Sequence, residues 1–207
     1  MDQDISESRE KSRIELLTAV GDASRRNQAA TDVFDEVTAL FLGVNRTDGR
    51  CLDIIDRHGR VSAGQLANES GLTTGAVTAV IDRLERAGYV QRIRDQLDRR
   101  KIWVECTPEM RAIIGQIYGF YDVLGPTMTR RFSDEQARAI LAFLEISRLV
   151  QTEMAAGIRE HMPPASSSTG DRVERAARFR RAMEAAAPRL VAMIDAIPVP
   201  EEPGQGA

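Results

Sequence analysis

Apolar and polar positions along the chain alternate with two different periods, one helical and one of two residues, and each predicts its own kind of element. Residues 1 to about 9 carry no apolar periodicity and read as disordered. From about Glu10 to Gly43, Ile14, Leu17 and Val20, then Val33, Val37, Leu40, Phe41 and Val44, form a helical stripe. Gly21 and the polar run Ser24-Arg25-Arg26-Asn27-Gln28 mark a bend or break in it. Residues 45–49 read as a turn. Arg50 to Arg57 reads as a short helix whose Leu52, Ile54 and Ile55 pack beneath the next elements of the chain.

The most informative stretch is Val61 to Thr107. Ser62-Ala63-Gly64-Gln65 has the form of a capping box, with Leu66 and Ala67 as the buried stripe of a first helix. Gly71 supplies a left-handed turn, Leu72 an apolar plug and Thr73 the cap of a second helix, Thr74 to Ala87. There Val77, Val80, Ile81 and Leu84 recur at i, i+3, i+4 and i+7. The opposite face carries Thr74, Gly75, Thr78, Ala79, Asp82, Arg83 and Arg86, small and hydrogen-bonding in its first turns. Period 2 then takes over in residues 89–93 and 101–106, a hairpin with Arg94 to Arg100 at its tip. Helix, tight turn, helix and hairpin make a winged helix-turn-helix, an element that docks on duplex DNA.

Charge sharpens this reading. The formal net charge is −3, yet residues 83–101 hold seven basic and three acidic side chains, a local net of +4. Positive potential gathers where a duplex would dock. The same scaffold also serves as a protein-interaction module, which would use the basic face for an acidic partner.

Taken in order, Gln65-Leu66-Ala67…Gly71-Leu72-Thr73, Val77-Thr78…Ile81-Asp82-Arg83-Leu84-Glu85…Gly88-Tyr89-Val90 and Arg92 to Arg100 resemble the MarR family of bacterial transcription regulators. The resemblance covers about residues 10 to 161. It implies a dimer built on long terminal helices, with recognition helices in successive major grooves and wing tips in the flanking minor groove. It implies that Arg100 enters the minor groove, that Asp98 buttresses it and that Arg99 is the neighbouring candidate. The sequence departs from the family at Cys106-Thr107-Pro108 and at Gly75, which leaves one base-facing position without a side chain. The candidate DNA-binding set is Ser62, Thr73, Thr74, Gly75, Thr78, Arg83, Arg94, Asp98, Arg99 and Arg100. The resemblance also implies a small aromatic or anionic effector bound between the dimerisation helices and the winged lobe. Phe34, Phe41, Tyr118, Phe120 and Tyr121 are the candidate lining, with Arg46 or Arg111 as an anion partner.

After the hairpin, Thr107 and Pro108 open a helix expected to reach about Arg131. Ser133-Asp134-Glu135-Gln136 caps another of about 28 residues, roughly 42 Å long. Its stripe of Ala137, Ile140, Leu141, Leu144, Met154 and Ile158 needs a partner along its length, and a second copy of the chain is the expected one. Residues 162–170, rich in Pro and Ser, read as a linker. Residues 171–197 read as a helical appendage that Pro188 should split or kink, and 198–207 as a disordered tail. The expected architecture is therefore mainly α with a small two-stranded β-wing. It divides into a dimerisation region (1–46), a winged helix-turn-helix (47–107), C-terminal dimerisation helices (108–161), the linker and the appendage (171–207).

Composition narrows the class further. At 43 % hydrophobic and 29 % charged the chain suits a globular protein, and its charged N-terminus has no apolar signal core. A cytoplasmic location is expected. Two cysteines, Cys51 and Cys106, and two histidines, His58 and His161, offer neither a clustered metal set nor a catalytic constellation. No cofactor and no enzymatic activity are expected. Both cysteines sit in apolar patterns, which favours packing over a thiol-based redox switch.

Overall fold

A computed structural model of the chain describes residues 2–98 and 100–199. Among these the elements run α1 (Asp2–Phe41), α2 (Arg46–His58), β1 (Arg60–Val61), α3 (Ala63–Ser70), α4 (Thr74–Arg86), β2 (Val90–Arg94), β3 (Ile102–Cys106), α5 (Pro108–Tyr118), α6 (Phe120–Thr129), α7 (Asp134–Glu160) and α8 (Thr169–Asp195). They fall into two compact units, the first ending at Phe120 and the second starting at Tyr121.

In the first unit α1 is one continuous helix of 40 residues. The disorder expected before residue 10 gives way to helix from Asp2, and no break occurs at 21–28. The segment is rich in Ala, Arg, Glu and Leu, and Gly21 costs only about 1 kcal/mol, too little to end so long a helix. The turn expected at 45–49 is instead the start of α2. Asn45 caps it, its side chain accepting the Asp48 backbone N–H at 2.9 Å. Gly49 lets α2 approach α1 closely, since a Cβ there would stand 3.3 Å from that of Ala39.

The expected two-stranded wing forms as the β2–β3 hairpin, and β1 joins it to make a three-stranded antiparallel sheet in the order β1-β3-β2. Arg60 pairs with Glu105 and Val61 with Val104, so β1 adds an edge that two residues are too few to signal by alternation. Alternation in β3 turns Val104 and Cys106 inward, where they join Val61, Leu66, Val77, Ile81, Leu84, Cys51 and Ile55 in a continuous core. Each such aliphatic side chain contributes roughly 1.5–3 kcal/mol on burial. The Tyr89 hydroxyl donates to the Leu42 carbonyl at 2.7 Å and ties the end of α1 to the start of β2.

The helix expected from Pro108 to about Arg131 is two helices, α5 and α6, separated at Gly119. Gly115, Gly119 and Gly125 weaken the helical tendency here, and Pro126 has no N–H to give the carbonyl four residues back.

The second unit contains α7 and α8. The Ser133–Gln136 capping box forms as expected, and a second one, Ser168–Asp171, starts α8 inside the segment read as linker. Pro188 does not split α8, which runs unbroken to Asp195. The helix-favouring Ala185, Ala186 and Ala187 precede it. α8 packs on α7: the His161 and Phe179 rings meet edge to face at 6.2 Å, and Arg189 pairs with Glu153 at 2.5 Å. Leu141, Leu144 and Ile158 of α7 stay exposed.

Candidate nucleic-acid interface

The reading head is fixed by its caps. Ser62 and Gln65 exchange both bonds of the capping box, so the Ser62 hydroxyl is engaged in holding α3. Gly71 takes φ 70°, a conformation that lets the chain reverse within three residues. The Thr73 side chain then accepts the Ala76 backbone N–H at 3.3 Å and starts α4. Val77, Val80, Ile81 and Leu84 are buried, as the period predicts. Thr74, Gly75, Thr78, Ala79, Asp82 and Arg86 are exposed on the other side. Thr78 donates its hydroxyl proton to the Thr74 carbonyl at 3.0 Å, which leaves its oxygen lone pairs and methyl for an outside partner.

Among the described residues two arginines of the basic region are held in ion pairs within the lobe. Arg83 grips Asp48 through Nε to Oδ2 at 2.8 Å and Nη2 to Oδ1 at 2.6 Å. Asp48 is 2 % exposed, and this bond raises the Arg83 pKa further above its ordinary value. Arg92 binds Asp82 at 2.5 Å and also pairs with Glu85, bracing β2 against α4. Its pKa is likewise raised, chiefly by the Asp82 hydrogen bond. Among the described residues Arg94 and Arg100 form no ion pair, and both are exposed. They are the cations of the candidate set left facing outward. Arg99 lies outside the described residues.

The wing tip is organised by Asp95, which lies outside the candidate DNA-binding set. Asp95 accepts the backbone N–H groups of Leu97 and Asp98, each at 2.9 Å, and the Trp103 indole N–H at 2.7 Å. These donors, the indole foremost, hold its pKa down at about 2. Asp98 in turn accepts the Arg100 backbone N–H at 3.1 Å, and its carbonyl accepts that of Lys101 at 2.9 Å. Asp98 therefore supports the backbone at Arg100. An Asp two and three residues before N–H groups it can reach is a turn signal visible in the sequence. The Trp103 and Asp48 contacts carry no comparable local signal.

A cavity of about 530 Å³ opens between α1, α2 and α5. Leu42, Leu52, Met110, Ile114 and Ile117 make its apolar wall, and Asp32, Asp35, Asp53, Asp56, Arg46 and Arg50 its polar one. Of the expected aromatic lining, Tyr118 borders it and meets Phe34 edge to face at 5.7 Å. Phe41 is 74 % exposed on α1, and Tyr121 lies in the second unit. Arg46 lines the cavity and pairs with Asp32, while Arg111 lies 3.8 Å from Glu105.

Both cysteines are buried, and burial pushes their thiols up, Cys106 to about 12. His58 ends α2 and its Nε2 lies 2.7 Å from Glu69. Among the described residues no group of three or more His, Cys, Asp or Glu is arranged to hold a metal ion, and no helix is long and apolar enough to cross a membrane.

A family model described as the MarR family matches residues 44–102, the span from the start of α2 to the second wing strand. The HTH-type transcriptional regulator YcgE of Bacillus subtilis (strain 168) is 32 % identical over 137 residues, which cover 66 % of this chain and 89 % of YcgE. The HTH-type transcriptional repressor YetL of the same organism is 35 % identical over 78 residues, covering 37 % of this chain and 46 % of YetL. The crystal structure of apo MarR from E. coli aligns with 20 % identity and a TM-score of 0.42 over 60 % of this chain and 93 % of that one. With these segments matched along a winged helix-turn-helix, the chain belongs to the MarR family of transcription regulators.

Proposed function

We propose that the chain acts as a homodimeric repressor that reads an imperfect palindrome in duplex DNA and releases it when a small molecule binds. The observation that carries this reading is the joint exposure of the α4 face and the wing cations Arg94 and Arg100 on one lobe. Thr74, Gly75 and Thr78 would meet base edges in the major groove. Ser62, Thr73 and Arg94 would lie near phosphates, and Arg99 and Arg100 in the minor groove, where narrow A·T segments concentrate negative potential. Arg83 would act from behind, holding α4 through Asp48, instead of touching phosphate.

Exposed apolar side chains support self-association. Leu17, Val33, Val37, Leu40 and Phe41 on α1 and Leu141, Leu144 and Ile158 on α7 remain uncovered in the single chain. A two-fold dimer would set half-sites about one helical turn apart. The effector would occupy the cavity between α1, α2 and α5, against Tyr118 and the apolar wall. Aspartates outnumber arginines in its lining, so an aromatic molecule offering hydrogen-bond donors fits it better than a bare anion. Binding there would favour a lobe spacing that no longer matches two successive grooves.

Selection of bound duplexes from a random pool, followed by a salt titration on the winner, tests the reading. An enriched palindrome with a steep salt dependence is expected. Weak binding without enrichment would overturn it in favour of a protein-interaction module.

A further inference from the structure

Trp103 is the only tryptophan of the chain and lies on the outer side of β3, across the ladder from Ile93. Three polar or charged groups converge on its ring system. The indole N–H donates to Asp95 Oδ2 at 2.7 Å. The Lys101 ammonium lies over the ring at 4.1 Å from its centroid, and the Arg60 guanidinium of β1 at 5.0 Å. The other oxygen of Asp95 receives the two backbone N–H groups that shape the tip, from Leu97 and Asp98. Asp98 then receives the N–H of Arg100. A chain of hydrogen bonds thus runs from a side chain seated on the sheet, through the carboxylates of Asp95 and Asp98, to the backbone that presents Arg100.

We infer that Trp103 is a positioning residue for DNA binding: its indole N–H anchors Asp95 and so holds the wing tip in the conformation that presents Arg100. The inference rests on the reading of Arg100 as a DNA contact. Its physical basis is preorganisation. Among the described residues of the tip Leu97 is 99 % exposed and Gln96, Asp98 and Arg100 are exposed too, so hydrogen bonds to the carboxylates of Asp95 and Asp98 set its shape. Without the anchor the tip samples other conformations, and DNA must order it on binding, which costs affinity. The cations over the ring keep the indole seated on the sheet, so the anchor point itself does not wander.

The test compares Trp103→Phe, which keeps an aromatic ring for Lys101 and Arg60 but removes the N–H, with Asp95→Asn, the double variant and Arg100→Ala. The selected operator duplex and a random duplex are titrated with each, and thermal midpoints are recorded. Trp103→Phe should weaken operator binding by roughly tenfold, as loss of a hydrogen bond to a charged group does. Its salt dependence and thermal midpoint should stay those of the parent, because no phosphate contact and no core packing is removed. Trp103→Phe and Asp95→Asn should be less than additive in the double variant. The fluorescence of Trp103 should shift in Asp95→Asn, where the indole loses its charged acceptor. Parent-like affinity in Trp103→Phe, while Arg100→Ala still weakens binding, would overturn the anchor and leave the wing contact standing. Parent-like affinity in both would remove the wing from the interface altogether. A fall in thermal midpoint matching the fall in affinity would reduce Trp103 to a packing residue and overturn the inference.

Discussion

Asp48 in the first turn of α2 and Arg83 in α4 form a two-pronged ion pair across 35 residues of sequence, and the carboxylate is almost fully buried. Among the described residues Asp48 is the one charged side chain that is buried, and Arg83 is its counter-ion. Arg83→Leu should therefore strand a buried charge and lower the thermal midpoint by roughly 5 °C or more. Asp48→Leu combined with Arg83→Leu should recover part of that loss, because two apolar groups leave no unpaired charge. Calorimetry of the single and double variants checks this; an equal or deeper loss in the double variant would contradict it.

On DNA the two halves of the interface should fail differently. Arg100→Ala should weaken operator and random duplex alike and reduce the magnitude of the salt slope by about 1, the mark of a lost phosphate-region cation. Thr78→Ala should reduce the preference for operator over random duplex while leaving the salt slope intact. Equal loss on both duplexes from Thr78→Ala would show that the base-facing side of α4 lies elsewhere.

The buried thiols make a statement about alkaline pH. Burial raises the Cys106 pKa from the ordinary 9.0 to about 12, so the unfolded chain ionises this thiol first. A folded pKa above the unfolded one gives stability that is complete below pH 9.0 and declines as pH rises towards 12. Cys106→Ala should flatten that part of the stability curve relative to the parent, measured by urea unfolding at stepped pH. In native buffer at neutral pH neither cysteine should react with a thiol reagent, and peroxide should leave operator binding unchanged. Rapid labelling of Cys51 would reopen a redox role.

Glycine at two helical positions should respond oppositely to a methyl group. At Gly157 an added Cβ would stand 2.9 Å from the Phe179 ring and 3.1 Å from the Met183 sulfur, so Gly157→Ala should loosen the α7–α8 packing. At Gly115 in α5 nothing lies within 4 Å of the added Cβ, and Gly115→Ala should gain up to about 1 kcal/mol of helix stability. Amide hydrogen exchange along α8 distinguishes the first outcome, and thermal unfolding the second.

Features written in neighbouring residues are legible in the sequence alone. The Ser62–Gln65 and Ser133–Gln136 boxes, the Gly71 turn and the buried face of α4 each need only residues within about two turns of one another. Asn45 reads as part of a turn yet caps a helix, because Asn serves both roles and only the path of the following residues decides between them. β1 escapes detection because two residues have no period. Pro188 misleads because its local cost is weighed against the whole of α8 and its packing on α7, which neighbouring residues do not reveal. Asp48 and Trp103 are silent for a different reason. Their partners are set by the fold, and a lone Asp near a Gly or a Trp on an alternating strand looks the same with or without them.

The helical pair α7–α8 closes its seam within one chain through Gly157, Phe179, Met183, His161 and the Glu153–Arg189 pair. An association made inside one molecule follows first-order kinetics and survives dilution. A seam between two copies is second-order and dissolves when the protein is scarce. In a cell holding only a few copies of the regulator, α7 would thus keep one neighbour permanently, and concentration would govern only the contacts made on its other side.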